Sequence, residues 1–197
     1  MSLRRLLVVS VALLLPLVGA ASARADEGSR CTGRVIEQPF GAWSDLADYF
    51  LAPDGDFSTG AAGWQLDGAE LVADNEPFWV HGGDTPAAVR LADGASATSP
   101  AICVALDDPT MRFFARSDGG PSGKLAVDVL YTDTAGEPRK LRIGMVTTDA
   151  APDWTPVAPL PITANTTEMD VAFQFTALGA GSEWTIDDVY VDPYKKG

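Results

Sequence analysis

Apolar side chains return at every second position through much of the second half of the chain, and that period admits few folds. Leu125, Val127, Val129 and Tyr131 fall on one side of an extended backbone; Ala126, Asp128, Leu130 and Thr132 fall on the other. Leu141, Ile143 and Met145 oppose Arg142, and Val171, Phe173 and Phe175 oppose Asp170, Ala172 and Gln174. One apolar face and one wetter face is the pattern of a half-buried antiparallel strand. Similar runs occupy 63–66, 69–73, 88–91, 99–106, 111–116, 124–132, 139–147, 155–160, 169–178 and 184–191, with Gly, Pro and Asp turns between them. No sustained helical period interrupts them. The pattern predicts an all-β domain over residues 54–197, an antiparallel two-sheet β-sandwich of the jelly-roll kind. Residues 26–53 read as an irregular arm, with a short helix over 42–50 capped by Ser44 and ended by Pro53.

The start of the chain argues export. Arg4 and Arg5 precede an apolar run over 6–15, and Ala23-Arg24-Ala25 has the small-x-small form of a cleavage site. That layout is a secretory signal peptide over 1–25; the run is shorter than the roughly 20 residues a spanning helix needs. The arginine pair leaves the export route open. Later apolar runs are broken by charge, Gly or Pro, so no membrane anchor is expected. The net charge is −13, and removing the leader takes away three arginines and no acid. A surface this acidic disfavours nucleic acid and anionic lipid as partners.

Two cysteines, Cys31 and Cys103, in an exported chain suggest one disulfide, worth about 2–4 kcal/mol. With a lone histidine they do not make the usual four-ligand structural zinc site. That histidine, His81, would be the base of any Ser-His-Asp site, and no G-x-S-x-G turn accompanies it. No phosphate loop or dinucleotide fingerprint is present. A glycosidase carboxylate pair stays open among 27 acids, none in a distinctive motif. The expectation is a protein that is not an enzyme.

The segment Trp184-Thr185-Ile186-Asp187-Asp188-Val189-Tyr190-Val191-Asp192-Pro193 resembles the closing strand of galactose-binding-like β-sandwich domains, the fold of many carbohydrate-binding modules. Gly55-Asp56-Phe57-Ser58-Thr59-Gly60 followed by Gly63-Trp64 is similar to their opening turn. The resemblance implies a secreted, extracellular binding module, with extracellular or cell-wall carbohydrate as the partner. It also implies a structural calcium between the opening turn and the closing strand, held by Asp56 with Asp187 or Asp188, and Asp54 nearby. The family often has Glu after the Phe; here Ser58 offers a poorer ligand for a hard cation. Independently, Ile186, Val189 and Val191 cannot share one face by strict alternation. A bulge at Asp187-Asp188 would restore the parity and turn a carboxylate inward.

For ligand binding, Arg112, Phe114 and Arg116 fall opposite Phe113, while Asp128, Arg142 and Gln174 lie on the non-core sides of their strands. If these belong to one sheet they form a polar surface with an aromatic ring, suited to sugar hydroxyls and a sugar's apolar face. The competing reading is a cross-strand charge ladder that needs no ligand. Trp79 and Trp154, in Pro-rich loops, are a second candidate for docking; Trp64 and Trp184 read as core. Asn165-Thr166-Thr167 matches a glycosylation sequon. A secreted structural or adhesion domain with a protein partner and no small ligand is the alternative function.

Overall fold

A computed structural model describes residues 31–82, 86–162 and 168–194. The expected leader and the Asn165 sequon lie outside these residues. Among the described residues eleven strands form one continuous antiparallel sheet: β1 (Phe50–Leu51), β2 (Gln65–Val72), β3 (Ala88–Thr98), β4 (Ile102–Ala105), β5 (Thr110–Ser117), β6 (Lys124–Thr132), β7 (Pro138–Thr147), β8 (Thr155–Pro156), β9 (Leu160–Pro161), β10 (Glu168–Leu178) and β11 (Glu183–Asp192). The main path runs β7-β6-β10-β3-β11-β5-β8, with β2 on β3, β1 on β11, β4 on β10 and β9 on β5.

The sheet becomes a sandwich because β2 and β3 each serve two layers. The first half of β3 pairs with β11, Val89 opposite Ile186, and its second half pairs with β10, Ala97 opposite Phe175. Between the halves Gly94 takes φ +81, and the β2 register shifts around Gly68. These irregularities let the hairpin turn the corner. Phe113 of one layer meets Phe175 of the other with ring centroids 4.9 Å apart. Leu125, Val127, Val129, Phe173, Trp184 and Ile186 fill the same interior. The period-two faces therefore meet as two stacked layers, the antiparallel β-sandwich that the alternation predicts. Among the described residues no helix is long and apolar enough to cross a membrane.

Three local expectations change. The helix over 42–50 is absent: a 3-10 turn spans Gly41–Trp43, Ser44 takes φ 63, and the arm then extends into β1. Asp45 accounts for this, because its carboxylate accepts bonds from the Ala47 N–H at 3.1 Å and the Tyr49 hydroxyl at 2.7 Å, holding a turn against helix. The run over 155–160 splits into β8 and β9. β3 continues to Thr98 through small residues that give no strong β signal. The arm is joined to the sandwich by the Cys31–Cys103 disulfide, whose ends are 72 positions apart, and by Arg34, which donates to Asp108 at 2.7 and 2.8 Å and to the Cys103 carbonyl at 2.7 Å.

The opening turn is fastened to the closing strand by backbone. The Ala52 N–H donates to the Val189 carbonyl at 2.8 Å, and the Val189 N–H to the Gly55 carbonyl at 3.0 Å. A Cβ at Gly55 would lie 2.7 Å from the Val189 oxygen, so only glycine fits this approach. Phe57 and Trp64 follow into the core, their rings 4.9 Å apart.

Candidate functional site

The closing strand carries the expected bulge. Its pairing with β5 shifts between Asp187 and Tyr190, and Asp188 takes φ 50. Ile186, Val189 and Val191 all enter the main core, while Tyr190 faces the other way. The extra residue turns Asp187 and Asp188 inward, where both are buried.

Asp187 organises the loop between β2 and β3. Its carboxylate accepts the Glu76 N–H at 3.1 Å and the Asp188 N–H at 2.8 Å. Glu76, itself fully buried, accepts the Phe78 N–H at 2.5 Å and the Val80 N–H at 2.7 Å. These bonds fold the loop so that Phe78 and Trp79 stand at its tip, 48% and 41% exposed. Trp79 takes φ 51, an uncommon conformation for a bulky residue, with the Gly82 N–H donating to its carbonyl at 3.0 Å. Phe78 rests edge-on against Trp43 of the arm, centroids 4.7 Å apart, and lies 5.8 Å from Phe114.

Carboxylates crowd this corner. Burial, then the Asp188 charge, pushes the Asp187 carboxyl well above its ordinary value. Burial, then Glu76 and Asp56, does the same to Asp188. His81 lies beside them, its Nδ1 3.0 Å from Glu37 Oε1 and 3.2 Å from the Tyr190 hydroxyl, and its Nε2 3.7 Å from Asp56. The fit to the implied calcium is therefore partial. Asp56 and Asp188 offer hard oxygens in a region short of positive charge. Asp187 is engaged by two backbone N–H groups, and Asp54 is engaged by the Thr59 N–H and hydroxyl and the Ala62 N–H. Among the described residues, the only His, Cys, Asp or Glu trio close enough to share an ion is Cys31, Cys103 and Glu168, and its sulfurs form the disulfide. An ion at the opening turn would thus lean on Asp56, Asp188 and main-chain carbonyls.

The polar surface expected from the sequence is divided between two layers. Arg112 and Phe114 do face away from the core, but the arm covers them. Phe114 is fully buried in a second cluster with Phe40, Tyr49 and Tyr190. Arg112 lies 4.2 Å over the Phe40 ring, donates to the Val157 carbonyl at 2.9 Å and pairs with Asp45 at 2.5 Å. These two are structural groups here, because the arm takes the place a ligand would need. Arg116, two positions on, donates to Asp118 at 2.6 Å and Asp74 at 2.8 Å and sits 5.1 Å over the Trp154 ring. Trp154 packs partly on the second cluster, and its indole nitrogen is buried with no acceptor among the described residues. Sequence reasoning missed Trp43, Phe78 and Glu76. A Glu two residues before an aromatic pair was the one available signal.

Asp128, Arg142 and Gln174 do share the outer face of β6, β7 and β10, as their register requires. Arg142 donates to Asp128, Lys140 lies 3.1 Å from Asp128 and donates to Gln174 at 2.6 Å, and Gln174 donates to the Thr98 hydroxyl at 2.9 Å. Burial opposes the Asp128 charge, yet Arg142 and Lys140 hold its carboxyl below the ordinary range. Each group is held by a neighbour, which is a charge ladder. A cleft of about 460 Å³ lies between the arm, β1 and β4, and an open one of about 490 Å³ lies where β6, β7 and β10 meet, beside Lys140.

No family model matches the chain, and no curated protein matches it by sequence. Solved structures do. The tandem of two CBM22 modules from Paenibacillus barcinonensis Xyn10C superposes with TM-score 0.51 at 12% identity, over 77% of this chain and 46% of that one. This is the galactose-binding-like fold. The chain spans about half of that tandem's length. A CBM61 module solved with β-1,4-galactotriose aligns at 22% identity and TM-score 0.45, over 73% and 97% of the two chains. A CBM22 xylan-binding domain aligns at 14% and 0.46, over 72% and 94%.

Proposed function

We propose that the protein is an exported, non-catalytic module that binds extracellular or cell-wall carbohydrate. The observation that carries this reading is the pair Phe78 and Trp79, held out to solvent by the buried Glu76 and Asp187. Exposed rings stack on the apolar face of a sugar, and rigid placement reduces the entropy lost on binding. The fold shared with carbohydrate-binding modules supports the same class without deciding the ligand. A calcium ion at Asp56 and Asp188 belongs to this proposal, supported by the crowding of acids there, where burial and the charges of Glu76 and Asp56 push the Asp188 carboxyl up. The leader over residues 1–25 supports secretion.

A glycan array with the wild type and Trp79→Ala tests the reading. Hits that Trp79→Ala removes at unchanged melting temperature support it. The second reading, a structural or adhesion domain with a protein partner, is favoured by the self-pairing of Asp128, Arg142, Lys140 and Gln174. An array without hits would turn the balance to it. Release of reducing sugar that one carboxylate substitution abolishes would overturn the non-catalytic assignment.

A further inference from the structure

We infer that the N-terminal arm is part of the binding site, and that the site takes a neutral rather than an acidic sugar; this rests on the carbohydrate reading above. Three separate segments meet along the outer face of β5. Position 112 lies under Phe40, and position 114 under Phe40, Trp43 and Phe78. Position 116 lies under Trp154, which immediately precedes the strand that pairs with β5 at Phe114 and Ala115. The arm's Trp43 therefore stands between the exposed loop tip and the β5 face, touching Phe78 at 4.7 Å and Phe114 at 5.4 Å. Trp43 is only partly buried, and Phe78, against which it packs, is half exposed. An aromatic surface continuous from the loop tip to Trp43 of the arm, resting on the buried Phe114, is larger than the loop tip alone, and it exists only because the arm is folded onto the sandwich.

Two polar features set the ligand's chemistry. Among the described residues the Trp154 indole N–H is a donor without an acceptor, and a buried donor left unpaired is costly. The nitrogen is closed to solvent as the ring stands, so a sugar hydroxyl would supply the missing acceptor on a small outward tilt of the partly exposed Trp154 ring. Arg116, the cation beside it, is already bound by Asp74 and Asp118, and Asp118 also accepts the Thr185 hydroxyl at 2.8 Å. Its charge is neutralised before any ligand arrives. With a net charge of −13 on the whole chain and Arg116 already paired, a uronate would meet repulsion here.

Calorimetric titration of the full exported chain with neutral hexose and pentose oligosaccharides and with trigalacturonate tests this. The expected result is that a neutral oligosaccharide binds at least tenfold more tightly than trigalacturonate. Trp43→Ala should weaken that binding about tenfold, the order expected from losing one stacking contact. Trp43→Phe, which keeps a ring and guards against misfolding, should retain most of it. Trp154→Phe, which keeps a ring but removes the N–H, should weaken binding several-fold. If Trp79→Ala abolishes binding while Trp43→Ala and Trp154→Phe bind as the wild type does, this inference falls and the carbohydrate reading stands. Trigalacturonate binding as tightly as the neutral sugars overturns the neutral-ligand assignment. A wild type that binds none of them removes both.

Discussion

Two outer faces of this sandwich carry much the same kinds of residue and have opposite fates. On β5 and β11, Arg112, Phe114 and Tyr190 are sealed beneath the arm, and Arg112 is fixed between a ring, a carbonyl and a carboxylate. On β6, β7 and β10, Asp128 is buried beneath Arg142 and Lys140, whose side chains stay open to solvent, and Lys140 also holds Gln174. Alternation places a side chain on a face. What covers that face is decided by a segment distant in sequence, so an arginine on a polar face can be core as easily as surface.

The largest expected effect lies on the covered face. Phe114→Ala should cost about 3–5 kcal/mol, as ring deletions in tight cores do, and it should loosen the arm. Denaturant unfolding measures this; a loss below about 1 kcal/mol would mean the arm is not packed on β5. Next is the disulfide. Replacing Cys31 and Cys103 together by Ser should cost about 2–4 kcal/mol and leave the sandwich folded, as circular dichroism and melting would show.

A third effect depends on pH. Asp187 and Asp188 have raised folded-state values, so between the unfolded carboxyl range near pH 4 and neutrality the folded state holds more protons than the unfolded one. Stability contributed by their protonation is therefore lost as pH rises. Metal-free protein should melt higher at pH 5 than at pH 8, and Asp188→Asn should flatten that difference. Calcium after EDTA treatment should raise the melting temperature, and more at pH 8 than at pH 5. An unchanged melting curve at both values would remove the ion from the account. The smallest effect belongs to the open face: Gln174→Ala should change stability by no more than about 0.5 kcal/mol, since exposed ladder contacts contribute little.

These contrasts mark what the sequence makes legible. The two layers, the assignment of Phe113, Phe173 and Phe175 to the interior, the Cys31–Cys103 bridge and the bulge at 187–188 all follow from periodicity, cysteine count and parity. The fold resemblance, read from the opening turn and closing strand, holds. Trp79 was accessible as a candidate because it sits beside Pro and Gly in a loop. The arm's role was not legible, because the contact of Phe40 with Phe114 spans 74 positions and has no local signature. Asp45 likewise reads as a helix residue until its partners, Tyr49 and Arg112, are known. Apart from its place two residues before an aromatic pair, Glu76 gives no sign in sequence that its side chain is turned inward to shape a loop.

The extra residue at 187–188 has a consequence for how such a molecule can diversify. Deleting it would swap inside for outside in every residue after it, so the closing strand is under tight constraint. Yet the same irregularity grips the neighbouring loop through main-chain N–H groups of Glu76, and Glu76 in turn through those of Phe78 and Val80. The side chains at the loop's summit take no part in that grip. Their identities can drift while the scaffold beneath stays fixed, which frees selectivity from foldability.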